Sequence, residues 1–302
     1  MEIDKIKFAG FIMTYERSAI LLETIDKIFS QTLSPEKILI VDNSVTFTTA
    51  ELIQSLQNPK VFYHRVGYNA GPAGAASIGL RTLAAEGYDW IYWGDDDDPP
   101  FFDNTFEILL KIAVSDTKCG CVGVVGQFFN RKTGFMNRVS NELLQSEGVL
   151  EVDNIAGNMS KIINGNMIRN ANILPDEKLF FGFEELDFDI QIKQAGYKLL
   201  VDRTFYWKHR VYWKRDVVPQ KILREKSDLA FRREYYSTRN IFYICLKNRM
   251  ISALICFFLY AFSKQFLRFK YGLVIGLKGF KVTLLAFFHF STRQMGYKKI
   301  KI

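Results

Sequence analysis

Apolar runs of strand length alternate with stretches of helical periodicity along the first hundred residues. The runs that read as strands are 7–13, 37–41, 61–65 and 90–93. Between them, apolar residues recur every three or four positions, as on one face of a helix, at 17–32, 50–57 and 73–86. This order predicts an α/β fold in which helices cover a mostly parallel sheet.

The pattern continues less regularly through the second hundred residues. We expect a helix at 104–114, a strand at 121–129, an amphipathic helix at 186–195 that ends at Gly196, and a strand at 198–202. From 130 to 160 the periodicity weakens, as is typical of loops around a binding cleft.

The chain changes character beyond residue 230. The uncharged run Met250–Ser263 has 14 residues, fewer than the roughly 20 apolar residues that span a bilayer. Two further apolar runs, 271–277 and 282–290, alternate with lysines. These features predict helices that lie in the interface of an anionic membrane. The alternative is a helical subdomain packed on the rest of the protein, with its basic face merely solvated.

The charge distribution favours an anionic partner for this region. Residues 1–202 contain 18 Lys and Arg against 28 Asp and Glu, whereas residues 203–302 contain 22 against 4. None of the residues after Glu234 is acidic. Nucleic acid could attract the same charge, but no recognisable DNA- or RNA-binding module accompanies it, so we expect no nucleic-acid partner.

Composition narrows the remaining classes. The 48% apolar content and the 27 Phe exclude a disordered chain. The four cysteines lack the spacing of a zinc site and are too few for a disulfide framework. The N-terminus leads directly into a strand pattern, so we expect no signal peptide and a cytoplasmic location.

Four consecutive aspartates, Asp95–Asp98, follow the strand at 90–93 and precede Pro99 and Pro100, which stop that strand from continuing. The carboxylates are therefore expected at the carboxyl end of a strand, where open α/β sheets bind their ligands. A hard cation such as Mg²⁺ or Mn²⁺ would relieve the repulsion among them and complete its shell with substrate phosphate oxygens. A solvated acidic turn is the alternative.

Five further motifs are candidates for chemistry. They are Phe11–Arg17, Ile38–Ser44, Asn69–Gly79, Leu179–Asp189 and Trp207–His209. The first offers free backbone N–H groups and an arginine to phosphate, and the third offers small residues that let the backbone approach a ligand. Structural alternatives are a helix cap at Asp42 or Ser44, a helix first turn at Glu184 and Glu185, and simple packing of His209.

In this order the motifs resemble those of family-two glycosyltransferases of the GT-A fold, most closely the bacterial rhamnosyl- and galactofuranosyl-transferases that build surface polysaccharide. The resemblance covers residues 5–215, with a weaker echo in the sequence YYSTRN at 235–240. It implies a GT-A catalytic domain at 1–215, followed by a basic, mainly helical, membrane-associating region at 216–302.

The resemblance implies a donor site at the strand ends. The residues that it assigns to the nucleotide and donor are Thr14, Tyr15, Arg17, Asp42, Asn43, Asn69, Gly71, Gly74 and Asp96. The residues that it assigns to the divalent cation, Mn²⁺ or Mg²⁺, are Asp95, Asp97 and His209. Asp42 would accept a hydrogen bond from the nucleobase imide. Because Asp98 is an extra acid relative to the family pattern, Asp96 and Asp98 form a competing metal pair.

The resemblance also implies an inverting mechanism. Glu185 takes the position of the general base, where many relatives carry Asp, and would accept the proton of the acceptor hydroxyl. Asn164, Gly165, Glu184 and Asp187 lie where relatives shape the acceptor and donor-sugar pocket.

We therefore expect a transferase that moves a sugar from a UDP- or dTDP-sugar to a growing, lipid-linked cell-surface glycan or glycolipid. It would be peripherally bound to the cytoplasmic face of the membrane. Rhamnose or galactofuranose is favoured, while galactose, glucose, the acceptor, the linkage and the oligomeric state stay open. Two rival classes remain. One is another metal-dependent nucleotide-sugar enzyme, such as a nucleotidyltransferase, and the other is a non-catalytic membrane-interaction protein on a decayed transferase fold.

Overall fold

The computed structural model describes residues 5–156, 160–217 and 227–300. The expected start without a signal peptide, at residues 1–4, lies outside the described residues, as does Lys301 of the basic end. The elements of the first part are β1 (Phe8–Thr14), α1 (Ser18–Phe29), β2 (Lys37–Asp42), α2 (Thr48–Leu56), β3 (Val61–Arg65), α3 (Gly71–Ala85), β4 (Trp90–Asp95) and α4 (Thr105–Ser115). Each of them was expected within a few residues of these limits.

The second part adds strands and short helices. They are β5 (Cys119–Gly123), β6 (Gly126–Asn130), β7 (Phe135–Arg138), α5 (Asn141–Leu144), β8 (Val149–Val152), β9 (Asn154–Ile155), β10 (Lys161–Asn164), α6 (Gly165–Ala171), α7 (Glu184–Gln194), β11 (Lys198–Asp202) and α8 (Arg203–Tyr212). Three long helices follow, namely α9 (Asp228–Lys247), α10 (Ile251–Arg268) and α11 (Leu273–Ser291).

The central sheet of the described chain has eight strands in the order β3-β2-β1-β4-β10-β5-β11-β8. Strands β3, β2, β1 and β4 are parallel neighbours, and β5 is parallel to β11. Strand β10 runs antiparallel to both of its neighbours, and β8 is an antiparallel edge. The expected α/β sheet is confirmed, and its parallel half brings the carboxyl ends of β1, β2 and β4 to one edge.

Both faces of this sheet are covered, because alternate residues of each strand enter different hydrophobic clusters. On β1, Phe8 and Ile12 pack with α1 and α4, while Phe11 and Met13 pack with α3. The all-apolar strands of the sequence are thus buried on both sides, as parallel strands require.

The prediction of one strand at 121–129 is wrong. The chain leaves the central sheet after Gly123 and enters a three-stranded sheet, β7-β6-β9, at Gly126. A Cβ on Gly123 would lie 2.3 Å from Ile155, and one on Gly126 would lie 2.7 Å from Val152, so both glycines permit close passage of a neighbour. The apolar run continues from β5 into β6, so the hydrophobic pattern does not indicate that the strand ends at Gly123. The expected loop at 130–160 is also wrong, since it contains β7, α5, β8 and β9.

The C-terminal helices are longer than the uncharged run suggested. The described chain contains two helices that are long and apolar enough to cross a membrane, Ile251–Tyr271 and Leu273–Ser291. In the apolar 18-residue stretch of each helix, only 22% and 28% of the residues, respectively, are buried. The helix is thus longer than the uncharged run Met250–Ser263, because it continues past Ser263 through charged residues, and its placement in a membrane interface stays a prediction.

Helix α9 packs directly on the preceding domain. Ile241 and Ile244 share a hydrophobic cluster with Leu186 and Ile190 of α7. The predicted boundary at 215 stays a prediction, and the contact between α7 and α9 joins the two sides of it.

Gly79, inside α3, tests how closely that helix packs on the sheet. Alanine is intrinsically favoured over glycine in a helix by about 1 kcal/mol, but its Cβ would lie 2.4 Å from the Phe11 ring. Because overpacking costs about 1–3 kcal/mol, we expect Gly79→Ala to lower the free energy of unfolding measured in urea. Thr82→Ala on the same helix is the control and should change that free energy by less than about 0.5 kcal/mol. A stabilised Gly79→Ala variant would contradict the packing described here.

Candidate active site

The carboxyl ends of three parallel strands bring the predicted motifs together. Thr14 is the register partner of Asp42, and Met13 is the register partner of Asp95. The turn after β1, the end of β2 and the aspartates after β4 therefore lie side by side, as the strand order predicted.

Asp95, Asp96 and Asp97 form a cluster in which one carboxylate oxygen of each lies within 4.8 Å of the others. Asp96 is buried and accepts hydrogen bonds from the Thr14 hydroxyl at 2.7 Å and from Arg17 at 3.2 Å. Arg17 also pairs with Asp97. Asp95, in contrast, accepts only the backbone N–H of Asp96 among the hydrogen bonds found in the described chain.

Burial makes the carboxyl groups of Asp95 and Asp98 reluctant to ionise. Burial, followed by the charges of Asp96 and Asp97, raises the pKa of Asp95 to about 6. Burial, followed by Asp95 and Asp97, raises the pKa of Asp98 to about 7. A set of hard oxygen donors under mutual repulsion suits a divalent cation such as Mg²⁺ or Mn²⁺.

A cavity of about 390 Å³ opens over this cluster. Predicted donor-site residues that line it are Thr14, Tyr15, Arg17, Asn43, Asn69, Gly71 and Asp95–Asp97. Phe180, Phe181 and Arg233 complete one wall. Its size fits a small-molecule ligand.

Asp42 lies beneath this cavity and is fully buried. Its two carboxylate oxygens accept hydrogen bonds from the Tyr63 hydroxyl and the Ser44 N–H, each at 2.8 Å. Helix α2 begins without a side-chain cap, so the alternative that Asp42 or Ser44 caps that helix is wrong. The base-reading role of Asp42 stays a prediction, and Asn43 is the residue of this motif that reaches the cavity.

Gly71, the first residue of α3, lets the start of that helix contact the loop before α7. Its φ is +71°, and a Cβ there would lie 2.2 Å from the Phe180 carbonyl oxygen. The same oxygen accepts the Ala73 N–H at 3.2 Å, and Asn69 accepts the Gly71 N–H at 3.0 Å. Gly74, in contrast, is buried inside α3 and packs on Ala70, so it does not line the cavity.

A second cavity, of about 220 Å³, shares Asp95 and Phe181 with the first and extends to Glu184 and Glu185. Both glutamates lie in the first turn of α7. Glu185 pairs with Lys161, whose side chain is almost fully buried and whose ammonium lies 3.8 Å from the centre of the Trp93 ring. Glu185 thus lines the cavity as part of an ion pair.

Glu184 differs from its neighbour. It is buried, and its Oε2 has no hydrogen-bond partner among the described residues. Burial, followed by the charge of Glu185, raises the pKa of the Glu184 carboxyl. Burial and the neighbouring carboxylate therefore favour the neutral form of Glu184.

Two predicted pocket residues lie at the wrong end of the sheet. Strand β10 is antiparallel to β4, so Asn164 pairs with Trp90 while Lys161 pairs with Trp93, next to the aspartates. Asn164 caps α6, and Gly165 packs against the Tyr88 carbonyl. Their placement does not fit the predicted role in the acceptor pocket.

Asp187 lines neither of these two cavities. It is fully buried and pairs with Lys247 of α9 at 2.8 Å. It thus helps to join α7 to the C-terminal helices, and the predicted pocket role does not fit this position.

His209 lies on α8, in a neighbouring cavity of about 350 Å³ that Asp97 and Asp98 also line. Its ring packs against Phe101 and Phe102 at 6.4 Å between centroids. Burial, followed by the charge of Arg215, lowers the pKa of His209 to about 4, which keeps the imidazole neutral. Within the described residues it does not join the group formed by the three aspartates, so its metal role stays a prediction.

Sequence reasoning missed Lys161 and Arg233 and left the YYSTRN segment unassigned. The available signal for Lys161 was a lysine in an otherwise apolar strand. In YYSTRN, Asn240 donates hydrogen bonds to the carbonyls of Leu179, Phe181 and Gly182 at 2.9, 2.9 and 2.7 Å. This segment holds the loop that leads to the two glutamates.

Residues 11–175 match the family model described as glycosyl transferase family 2. Galactofuranosyltransferase GlfT1 of Mycolicibacterium smegmatis is 25% identical over 197 residues, which are 61% of this chain and 65% of that protein. GlfT1 of Mycobacterium tuberculosis H37Rv is 24% identical over 198 residues, which are 61% of this chain and 64% of that protein. The chain thus spans just under two thirds of the length of these relatives.

Two solved structures share the fold. GalNAc-T7 with UDP, GalNAc and Mn²⁺ has a TM-score of 0.56 at 17% identity, covering 67% of this chain and 43% of that one. S. aureus TarS 1-349 in complex with UDP has a TM-score of 0.51 at 12% identity, covering 98% of this chain and 94% of that one. These likenesses confirm the expected GT-A fold.

The buried carboxyl of Glu184 predicts a pH-dependent stability. Because its folded-state pKa is raised, the folded protein holds a proton that the unfolded chain has lost, and the free energy of unfolding falls as the pH rises from about 5 to about 8. Glu184→Gln should be more stable than the parent near pH 8, on the order of 1 kcal/mol, with the difference vanishing near pH 5. Urea unfolding at both pH values measures this.

The exposed Glu147→Gln is the matched control and should leave stability unchanged at both pH values. A Glu184→Gln variant that is less stable near pH 8 would show that the carboxylate is satisfied in solution.

Proposed function

The chain belongs to glycosyl transferase family 2, and on this premise we propose that it is an inverting, metal-dependent transferase that uses a nucleoside-diphosphate sugar. One observation carries the proposal. The carboxylate cluster and Glu185 face two cavities that share Asp95, so a donor in the first would present its sugar to an acceptor in the second.

The first cavity would hold the nucleotide and diphosphate. Thr14, Tyr15, Asn43 and Asn69 line it beside Arg17. Gly71 lines the cavity with its backbone. Asp42 would hold the end of β2 in place by accepting hydrogen bonds from Tyr63 and Ser44.

The cation site would be built from Asp95 and Asp97, with His209 as the third ligand and Asp96 reserved for the ribose or donor sugar. Mn²⁺ or Mg²⁺ would supply positive charge against the leaving diphosphate. The raised pKa of Asp95 and the hard oxygen donors support this assignment. The competing pair Asp96 and Asp98 is less well supported, because Asp96 already binds Thr14 and Arg17.

Glu185 would act as the general base. It accepts the proton of an acceptor hydroxyl as that oxygen forms a bond to the anomeric carbon and the bond to the donor phosphate breaks, which inverts the centre. Lys161 pairs with Glu185 and helps to hold it at the second cavity.

The donor sugar is proposed from the relatives. The two mycobacterial proteins named above are galactofuranosyltransferases, which favours galactofuranose over rhamnose as the transferred sugar. UDP is accordingly the first nucleotide to test, with dTDP as the second. The acceptor is proposed to be a growing, lipid-linked glycan of the cell surface.

The C-terminal helices are proposed to place this site at the cytoplasmic face of an anionic membrane. Leu259, Phe266, Leu273 and Leu277 are each more than half exposed, on helices that carry several lysines and no acid. An exposed apolar face with a basic edge is typical of membrane-bound helices. This proposal covers the region 216–302, whose residues 218–226 and 301–302 lie outside the described chain.

The function is tested by nucleoside diphosphate release from UDP-galactofuranose, dTDP-rhamnose, UDP-galactose and UDP-glucose, with and without Mn²⁺. We expect release that depends on the cation and on acceptor. Glu185→Gln should lower the rate by about 10²–10⁴-fold because the base is lost, and Asp97→Asn should weaken the response to Mn²⁺.

Glu147→Gln, far from the cleft, controls for charge removal and should retain the parent rate. Release of pyrophosphate instead would favour a nucleotidyltransferase. Full activity in both Glu185→Gln and Asp97→Asn would favour the non-catalytic alternative.

Membrane binding is tested by cosedimentation with vesicles that contain phosphatidylglycerol. We expect the double variant Leu259→Glu and Leu277→Glu to bind several-fold less, because burying a charge in the interface is costly. Val149→Glu, which changes a 42% exposed residue on β8, is the control and should bind as the parent does. Binding that survives alkaline carbonate would favour helices that cross the bilayer, and no binding by the parent would refute the proposal.

A further inference from the structure

Arg233 of α9 lines the donor cavity together with Arg17 and the three clustered aspartates. It lies outside the segment 11–175 that matches the family model and outside the catalytic region predicted from the sequence. Helix α9 thus contributes a cation to a site whose other polar residues come from the strand ends.

The two arginines of this cavity, Arg17 and Arg233, differ in whether they already have an ion-pair partner among the described residues. Arg17 already pairs with Asp96 and Asp97. Arg233 is exposed, its guanidinium lies 6.0 Å from the centre of the Phe181 ring, and no hydrogen bond or ion pair joins it to another described residue. Its five N–H groups are therefore open to a ligand.

Helix α9 is fixed over the cavity. Asn240 is fully buried and donates to three carbonyls of the loop 179–182, and Arg239 donates to the Leu179 carbonyl at 3.1 Å. The Ser237 hydroxyl oxygen lies 3.1 Å from the point where a Cβ on Gly182 would be. Arg233, Ser237 and Asn240 are four and three residues apart, so they share one face of the helix.

We propose that Arg233 binds the diphosphate of the nucleotide donor. This inference rests on the proposed function, because it assigns a further residue to that donor site. Three carboxylates, one divalent cation and Arg17 come close to neutrality among themselves, which leaves the charge of the diphosphate without a partner. A guanidinium matches phosphate oxygens with two parallel hydrogen bonds, and one held on a rigid helix loses little freedom in making them.

The experiment is calorimetric titration of the full-length protein with UDP and with uridine, in the presence of Mn²⁺, with dTDP and thymidine in parallel. Arg233→Ala should weaken binding of the diphosphate by roughly tenfold to hundredfold, as expected for a charge-assisted hydrogen bond. Binding of the nucleoside should not change, because Arg233 contacts only the phosphates. Arg233→Lys should recover part of the loss.

The neighbouring Arg232 is the matched control. It is equally exposed on the same helix but does not line the cavity, so Arg232→Ala should bind both ligands as the parent does. Circular dichroism of each variant establishes that the fold is retained.

Three results would overturn the inference. Parent-like affinity of Arg233→Ala for the diphosphate would remove Arg233 from the site and leave the proposed function intact. Equal losses in Arg232→Ala and Arg233→Ala would reduce the effect to overall charge. Failure of the parent itself to bind UDP or dTDP with Mn²⁺ would refute the proposed function, and the role of Arg233 with it.

Discussion

The site depends on the packing of several carboxylates at the carboxyl end of β4, because the surrounding side chains must stabilise their charges. Burial makes ionisation of Asp95, Asp96 and Asp98 costly, and Asp95 and Asp98 line the same cavity as Glu185. Thr14 and Arg17 offset part of that cost for Asp96, and Lys161 forms an ion pair with Glu185. Each compensating side chain comes from a different strand end or turn, so the parallel sheet and its register are what assemble the site.

The loop between Phe180 and Phe183 is the second element on which the site depends. Phe180, Gly182 and Phe183 all have positive φ, a conformation that costs non-glycine residues on the order of 1 kcal/mol or more. The loop is held in it from two sides. The Ala73 N–H of α3 donates a hydrogen bond to the Phe180 carbonyl. From the other side, Asn240 of α9 donates hydrogen bonds to the loop carbonyls. The position of the glutamates after the loop is therefore set jointly by early and late parts of the chain.

The sequence predicted well where a local period decides the structure. Strand β3 begins and ends at the predicted residues, and the strands that carry the donor and aspartate motifs follow closely. It failed where neighbours remote in sequence decide. The break between β5 and β6 depends on Ile155 and Val152 approaching Gly123 and Gly126, and an apolar run contains no trace of that. The sequence did not predict the antiparallel direction of β10 either. That direction places Lys161 next to the aspartates and Asn164 at the opposite end of the strand.

The site nevertheless came largely from the sequence, because strand ends and turns are marked by residue types such as aspartate, glycine and proline. Helix α9 has no such marks. Its contributions depend on which face it turns to the loop, and this follows only from the packing of α9 on α7.

The position of α9 matters for protein engineering. A chimera that joined residues 1–215 of this chain to the C-terminal helices of another transferase would replace Arg233, Arg239 and Asn240 together with the exposed apolar side chains of α10 and α11. Such an exchange alters the cavity over the aspartates and the support of the loop in one step. A changed product from that hybrid enzyme could not be credited to a new acceptor preference unless the graft point were moved beyond Lys247.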